Sequence, residues 1–374
     1  MVSEPSPYQS SGVDTTAGDR AVELMKAAVL GSHSSRVMGG VGGFAGLYDA
    51  SFLTSYSHPV LATSTDGVGT KVAIAQAMDV HDTIGWDLVG MVVDDIVVVG
   101  ATPLFMTDYI ACGRVVPERI AAIVRGIAEA AASCGVSLVG GETAEHPGLL
   151  DPNEYDVAGA ATGVVEAGDM LDPAKVGAGD AVIAMASSGL HSNGFSLVRK
   201  IVADQGWDLH ATRPEFSRAL GLELLEPTML YTSSILELMA AHPGALHMLS
   251  HVTGGGLAQN LSRVIPQGLA IDVDRSTWSP PTVMQVLADA GGFTLGQVED
   301  TWNMGIGMVA VVDAAEASAV TATLRASGHR AWQVGVVSES AGEVSHDTIT
   351  SAKGVEGGAI RLVGAYADSS SASS

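Results

Sequence analysis

Residues 59–71, PVLATSTDGVGTK, decide the architecture: an apolar run of strand length passes straight into an aspartate, two glycines and a lysine. The stretch 59–65 reads as a buried strand. An acid at the end of a strand, Asp66, can ligate a metal. Gly67 and Gly69 let the backbone approach a phosphate, and Lys71 supplies positive charge. The same pattern also fits an ordinary strand-exit turn with a surface lysine. It is not a Walker A loop, because the four-residue spacer and the closing Gly-Lys-Ser/Thr are absent.

Downstream, residues 82–99 read as an apolar helix carrying Asp87, Asp94 and Asp95. Asp87 and Asp94 are seven apart and project from one face. Asp95 lies among Ile96, Val97 and Val98, where a buried carboxylate would need a cation or donors. A strand at 103–111, a helix at 117–133 and a strand at 136–139 follow. A Gly-Gly turn then opens into Glu142 and Glu145, and a strand at 155–165 closes this half. Upstream, Ala17, Ala21, Leu24, Met25 and Ala28 recur at helical spacing up to Gly31. The glycine cluster at 39–43 after them reads equally as a loop over phosphates or as a hinge.

Gly, Asp and Pro cluster at 166–180 and mark a domain boundary. Beyond it we expect strands at 180–186, 306–312 and 331–337. Helices are expected at 195–204, 228–241, 281–290 and 313–326. The implied organisation is a flexible lead at 1–13, an N-terminal domain at 14–170, a C-terminal domain at 171–338 and a largely disordered tail at 339–374. The tail offers too little apolar surface to offset ordering entropy. Strands mixed with helices give an α/β and α+β protein of two domains.

Two segments of the second half invite chemistry. His191 and Asn193 sit in a Ser/Gly-rich turn before a helix, where anions bind and an imidazole can donate or move a proton. Capping by Ser192 or Asn193 explains the same pattern. Thr253-Gly254-Gly255-Gly256 opens a helix that later carries Arg263, as an anion cradle or as a flexible joint.

The formal charge of −23, with only 18 Lys and Arg, excludes a nucleic-acid partner. A phosphorylated ligand would have to be held by backbone N–H groups and a divalent metal. Cys112 and Cys134 make no disulfide framework, and no apolar run is long enough to span a bilayer. The expected compartment is the cytoplasm, with no membrane partner.

In order along the chain stand VMGGVGGF (37–44), TDGVGTK (65–71), DTIGWDLVGMVVDDIVVVGA (82–101), VGGETAEHPG (139–148), GLHSNGFSLVRK (189–200), HVTGGG (251–256) and NMGIGM (303–308). SGVD at 11–14 and EPT at 226–228 add to the series. This order resembles the AIR synthetase family from about residue 8 to about 338. The resemblance implies an N-terminal domain on a small sheet that pairs with a second copy into an intersubunit barrel, and a C-terminal domain of mixed sheet and helices. It implies a homodimer that uses ATP and Mg²⁺ to convert formylglycinamidine ribonucleotide to aminoimidazole ribonucleotide, ADP and phosphate.

Carried onto matching positions, Asp66 and Asp95 would hold the metal. Gly67, Gly69, Thr70, Lys71 and Glu142 would surround the nucleotide phosphates, and Thr253, Gly254, Gly255 and Gly256 would cradle the substrate phosphate. His191, Asn193 and Lys71 would serve catalysis, with Lys26 and Arg263 as further candidates. Asp94 stands where many members have Asn, and Trp302 where Phe is more familiar. A selenophosphate synthetase would want a reactive Cys near the first glycine loop. A thiamine-phosphate kinase would carry a different paired-Asp motif, and the amidotransferase-coupled synthetase is much longer. The competing reading is a non-catalytic ATP-binding scaffold dimer.

Overall fold

The structure, a computed structural model, describes residues 15–340 and 347–368. The expected lead at 1–13 lies outside the described residues, as do parts of the expected tail. The chain divides into two compact units: residues up to Ile96 with Thr102–Ala167, and Val97–Ala101 with the chain from Gly168 onward.

In chain order the first unit contains α1 (Thr15–Ser32), β1 (Val37–Met38), β2 (Leu47–Tyr48), β3 (Pro59–Gly67), α2 (Val72–Met78) and α3 (Thr83–Val97). It continues with β4 (Thr102–Cys112), α4 (Pro117–Ser133), β5 (Ser137–Glu145) and β6 (Tyr155–Glu166). The sheet order is β3-β6-β4-β5, with β4 and β5 parallel and the other pairs antiparallel. Burial along β4 alternates through Met106, Asp108, Ile110 and Cys112, so one face is covered by helices and the other is open. The middle of the covered face of β6 is made of small residues, Gly159, Ala161 and Gly163. A Cβ on Gly163 would stand 2.4 Å from Ile96 Cγ2, and one on Gly159 3.2 Å from Leu88. Glycines there let α3 lie almost on the sheet backbone. Leu61 and Tyr109 remain exposed.

Glu142 does not follow a turn as expected. Gly140 and Gly141 lie inside β5, and at Gly141 Asp108 of the adjoining strand occupies the space a side chain would need: a Cβ there would be 2.0 Å from Asp108 Oδ1.

The second unit contains β7 (Ala181–Ala186), α5 (Phe195–Asp204), α6 (Leu220–Leu224), α7 (Thr232–Ala241), β8 (Leu246–His251), α8 (Gly256–Ser262) and β9 (Leu269–Asp274). It ends with α9 (Thr282–Gly291), β10 (Ile306–Val312), α10 (Ala317–Ala326), β11 (Ala331–Glu339), β12 (Ile349–Ala352) and β13 (Val355–Val363). Its sheet runs β12-β13-β9-β11-β7-β10-β8. Every residue of β10 is buried, so this strand is covered on both faces and reads as a continuous apolar run.

The expectation of a largely disordered tail fails for residues 349–363. β12 and β13 form a hairpin, β13 runs parallel to β9, and Ile360 is fully buried. The local composition is polar, but alternate residues of β13 find an apolar surface already built by distant strands.

Candidate active site

In the first unit, pairing brings the candidate acids to one end of the sheet. Asp66 lies opposite Gly159, Gly159 opposite Asp108, and Asp108 opposite Gly141, forming one rung across four strands. The next rung joins Gly67, Ala158, Tyr109 and Glu142. The Asp66 side chain is exposed and its Oδ1 accepts from the Gly67 N–H at 2.7 Å. Val68 N–H donates to Val157 O, and Gly69 takes φ 75°, so the chain turns sharply into the short 3₁₀ helix Gly69–Lys71. Thr70 is exposed at this turn.

Lys71, expected among the phosphate contacts, lies in the interior. It is 0% exposed, and its Nζ donates to Asp87 Oδ1 at 2.8 Å, with the Asp87 side chain equally buried. Asp94 shares that buried face of α3, whereas Asp95, about 100° further round the helix, is exposed. The apolar neighbours of Asp95 therefore do not bury it. Among the described residues, no group of three or more His, Cys, Asp or Glu is assembled to hold a metal. Mg²⁺ needs no such cage, since one or two carboxylates complete its shell with phosphate oxygens and water. The exposed carboxylates of Asp66 and Asp95 fit that donor set.

A cavity of about 300 Å³ is lined by Gly40, Gly42, Asp108, Gly141 and Glu142, with Ala21 and Met25 of α1 on its apolar side. It joins the 39–43 glycine cluster to Glu142, whereas Asp66, Lys71 and Asp95 do not line it. Glu145 is occupied structurally, accepting from Val115 N–H at 2.6 Å.

Asp108 was not singled out in the sequence, although an acid inside an apolar strand is a signal. Burial, reinforced by the nearby Glu142 charge, raises its carboxyl from 3.8 to about 7. Between those values the folded state holds a proton that the unfolded chain has released, so stability declines as pH rises through this window. The full decline amounts to roughly 4 kcal/mol. Asp108→Asn should therefore match the parent near pH 4 and exceed it above pH 7. Urea titrations of metal-free protein across that range check this, and parallel profiles would contradict it.

In the second unit, the turn before α5 and the run before α8 touch. A Cβ on Gly254 would lie 3.3 Å from Asn193 Oδ1. His191, at φ 58° and 2% exposed, accepts the Ser188 N–H at Nε2 across 3.2 Å. An acceptor Nε2 places the neutral ring's proton on Nδ1. The buried amide of Asn260, also missed in the sequence, donates to the carbonyls of Thr253, Gly254 and Gly256. Arg263 donates to Asn260 Oδ1 at 3.2 Å, so it braces the run through Asn260. Gly255 at φ 103° and Gly256 at φ 69° follow Thr253 into α8. Asn303 joins the same assembly, donating to Gly189 O and accepting from Gly305 N–H and Ser187 Oγ.

Comparison with known proteins places both units. Residues 48–165 match the model described as AIR synthase related protein, N-terminal domain, and residues 177–347 match the corresponding C-terminal domain. Phosphoribosylformylglycinamidine cyclo-ligase of Geobacillus sp. (strain WCH70) is 46% identical over 90% of this chain and 96% of the relative. The protein of the same name from Desulfitobacterium hafniense (strain DSM 10664 / DCB-2) is 44% identical over 91% and 98%. Among solved structures, thiamine-monophosphate kinase from Stenotrophomonas maltophilia K279a superposes with a TM-score of 0.65 at 18% identity, covering 93% of this chain and 97% of that one. Escherichia coli HypE, a hydrogenase maturation protein, gives 0.61 at 18% identity over 94% and 96%. These two share the fold.

Proposed function

The chain belongs to the AIR synthase related family, and from that membership we infer that it closes the imidazole ring of purine biosynthesis as a phosphoribosylformylglycinamidine cyclo-ligase. The observation that carries the reading is identity of 44–46% along about nine-tenths of the chain to proteins bearing that one name. The scaffold reading is not favoured.

An amide oxygen is a poor leaving group. ATP therefore phosphorylates the formyl oxygen of formylglycinamidine ribonucleotide, and a nitrogen of the same molecule then attacks that carbon and expels phosphate. Ring closure is intramolecular, so the protein's task there is to hold a reactive conformer. Phosphoryl transfer requires neutralised charge, which Mg²⁺ on Asp66 and Asp95 would supply when bound. Gly67, Gly69 and Thr70 give the nucleotide phosphates backbone and hydroxyl donors, and Glu142 orders the cavity under the glycine cluster. Lys71 holds the turn from below through Asp87.

In the second unit, Thr253–Gly256 cradles the substrate phosphate, with the carbonyls of the run drawn back by Asn260. Asn193 borders that cradle. His191 orients the turn by accepting the Ser188 N–H at Nε2.

The open face of the four-stranded sheet, with Leu61 61% and Tyr109 42% exposed, suits burial against the same face of a second copy. This is the basis for the homodimer and intersubunit barrel. No described helix is long and apolar enough to cross a membrane, and we place the enzyme in the cytoplasm.

The test is a coupled assay of purified protein with formylglycinamidine ribonucleotide, ATP and Mg²⁺. One ADP and one phosphate should form per aminoimidazole ribonucleotide. ATP binding with no turnover would favour the scaffold.

A further inference from the structure

The match to the C-terminal family model ends at residue 347, yet the chain continues as part of the same sheet. β13 pairs with β9 from Ala359 opposite Ala270 to Val363 opposite Asp274, and Arg361 grips Asp272 with two hydrogen bonds of 2.6 and 2.8 Å. The chain then turns at Gly364 and lays Tyr366 edge-on against Trp278, ring centroids 5.2 Å apart. Ala367 N–H donates to Trp278 O at 3.0 Å.

This strap closes on one carboxylate. Tyr366 Oη donates to Glu299 Oε1 at 2.7 Å, and Arg275 forks onto both Glu299 oxygens at 2.6 and 2.7 Å. Arg275 also donates to the carbonyls of Leu362 and Gly364, tying the strap to the same centre. Burial and the adjoining Glu299 hold the Tyr366 phenol well above its usual range, so it stays a neutral donor.

Glu299 begins a segment that backs both loops of the second unit. Its carbonyl oxygen is 1.7 Å from where a Cβ on Gly256 would stand. Trp302 Cδ1 is 2.4 Å, and Thr301 O 2.8 Å, from the corresponding position on Gly194. At the far end, Trp278 Nε1 donates to Met304 O at 2.9 Å. Residues 299–304 thus form a wall behind Gly256 and Gly194, and the strap holds that wall at Glu299 and, through Trp278, at Met304. Glycines have no side chain of their own to fix them, so the wall sets where their backbone lies.

We propose that residues 355–367 are a positioning strap, and that Tyr366, acting through Glu299, sets the backbone of Gly254–Gly256 for the substrate's phosphate. The proposal rests on the cradle reading given above.

Tyr366→Ala, Tyr366→Phe and Glu299→Gln in the full chain test it, by steady-state kinetics and by hydrogen exchange followed by mass spectrometry. Displacement of a positioned group by a fraction of an ångström has a steep cost. Tyr366→Ala should raise KM for formylglycinamidine ribonucleotide about tenfold and leave KM for ATP within about twofold. Peptides spanning 251–262 and 299–305 should exchange faster, with β7 and β10 unchanged. Tyr366→Phe keeps the ring on Trp278 but loses the hydrogen bond to Glu299, so it should reproduce much of the loss, as should Glu299→Gln. Unchanged exchange at 251–262 would overturn the proposal. Faster exchange with an unchanged substrate KM would leave the strap standing and remove the phosphate cradle instead. If Tyr366→Ala loosens β7 and β10 as well, Tyr366→Phe carries the same two readings.

Discussion

Asp66→Asn is expected to lower turnover at saturating ATP and Mg²⁺ by on the order of 10²–10³-fold, while leaving the fold and the oligomeric state in place. The substitution is nearly isosteric. Asparagine still presents an oxygen to the Gly67 N–H that Asp66 Oδ1 accepts at 2.7 Å, so the turn out of β3 keeps its shape. Only the charge is lost. Because the side chain is exposed, stability should move by no more than about 0.5 kcal/mol. Electrostatic stabilisation of a developing phosphoryl charge supplies several kcal/mol in water-excluded sites, which sets the size of the loss. Steady-state rates with matched circular dichroism and sedimentation check it. Full activity would remove Asp66 from the metal's donor set.

Lys71→Met is expected to act in the opposite way, through the fold before the chemistry. Both partners of the Lys71–Asp87 pair are fully buried, and removing one leaves a carboxylate in the interior without its cation. Such a break costs about 3–5 kcal/mol, which lowers Tm by on the order of 10 °C. The double variant Lys71→Met/Asp87→Leu removes the stranded charge as well and should recover much of that stability. A thermal melt of the three proteins decides. If Lys71→Met melts like the parent but loses ATP affinity, the lysine is a phosphate ligand after all, and the buried pair is not what holds the turn.

The two substitutions show what could be read from the chain and what could not. Helix 117–133, helix 195–204 and strand 306–312 match their expected limits, because each has a local period or an unbroken apolar run bounded by breakers. β13 escaped notice since its partner β9 lies nearly ninety residues upstream in the sequence, and no local composition announces a long-range parallel pairing. The Gly140-Gly141 pair looked like a turn for the same reason: the carboxylate that demands glycine at position 141 belongs to another strand. For the site, the glycine-rich segments and the exposed acids Asp66 and Asp95 were visible as residue types in order. The burial of Lys71, the rung joining Asp66 to Asp108, and the bracing by Asn260 depend on side-chain direction and pairing, which composition does not carry.

The formyl oxygen should leave as phosphate after being phosphorylated by ATP. A heavy-oxygen label placed in the formyl group of the substrate tests it most directly, with the released phosphate examined by mass spectrometry. The label should appear in inorganic phosphate in proportion to aminoimidazole ribonucleotide formed. Label recovered in water, with unlabelled phosphate, would contradict it.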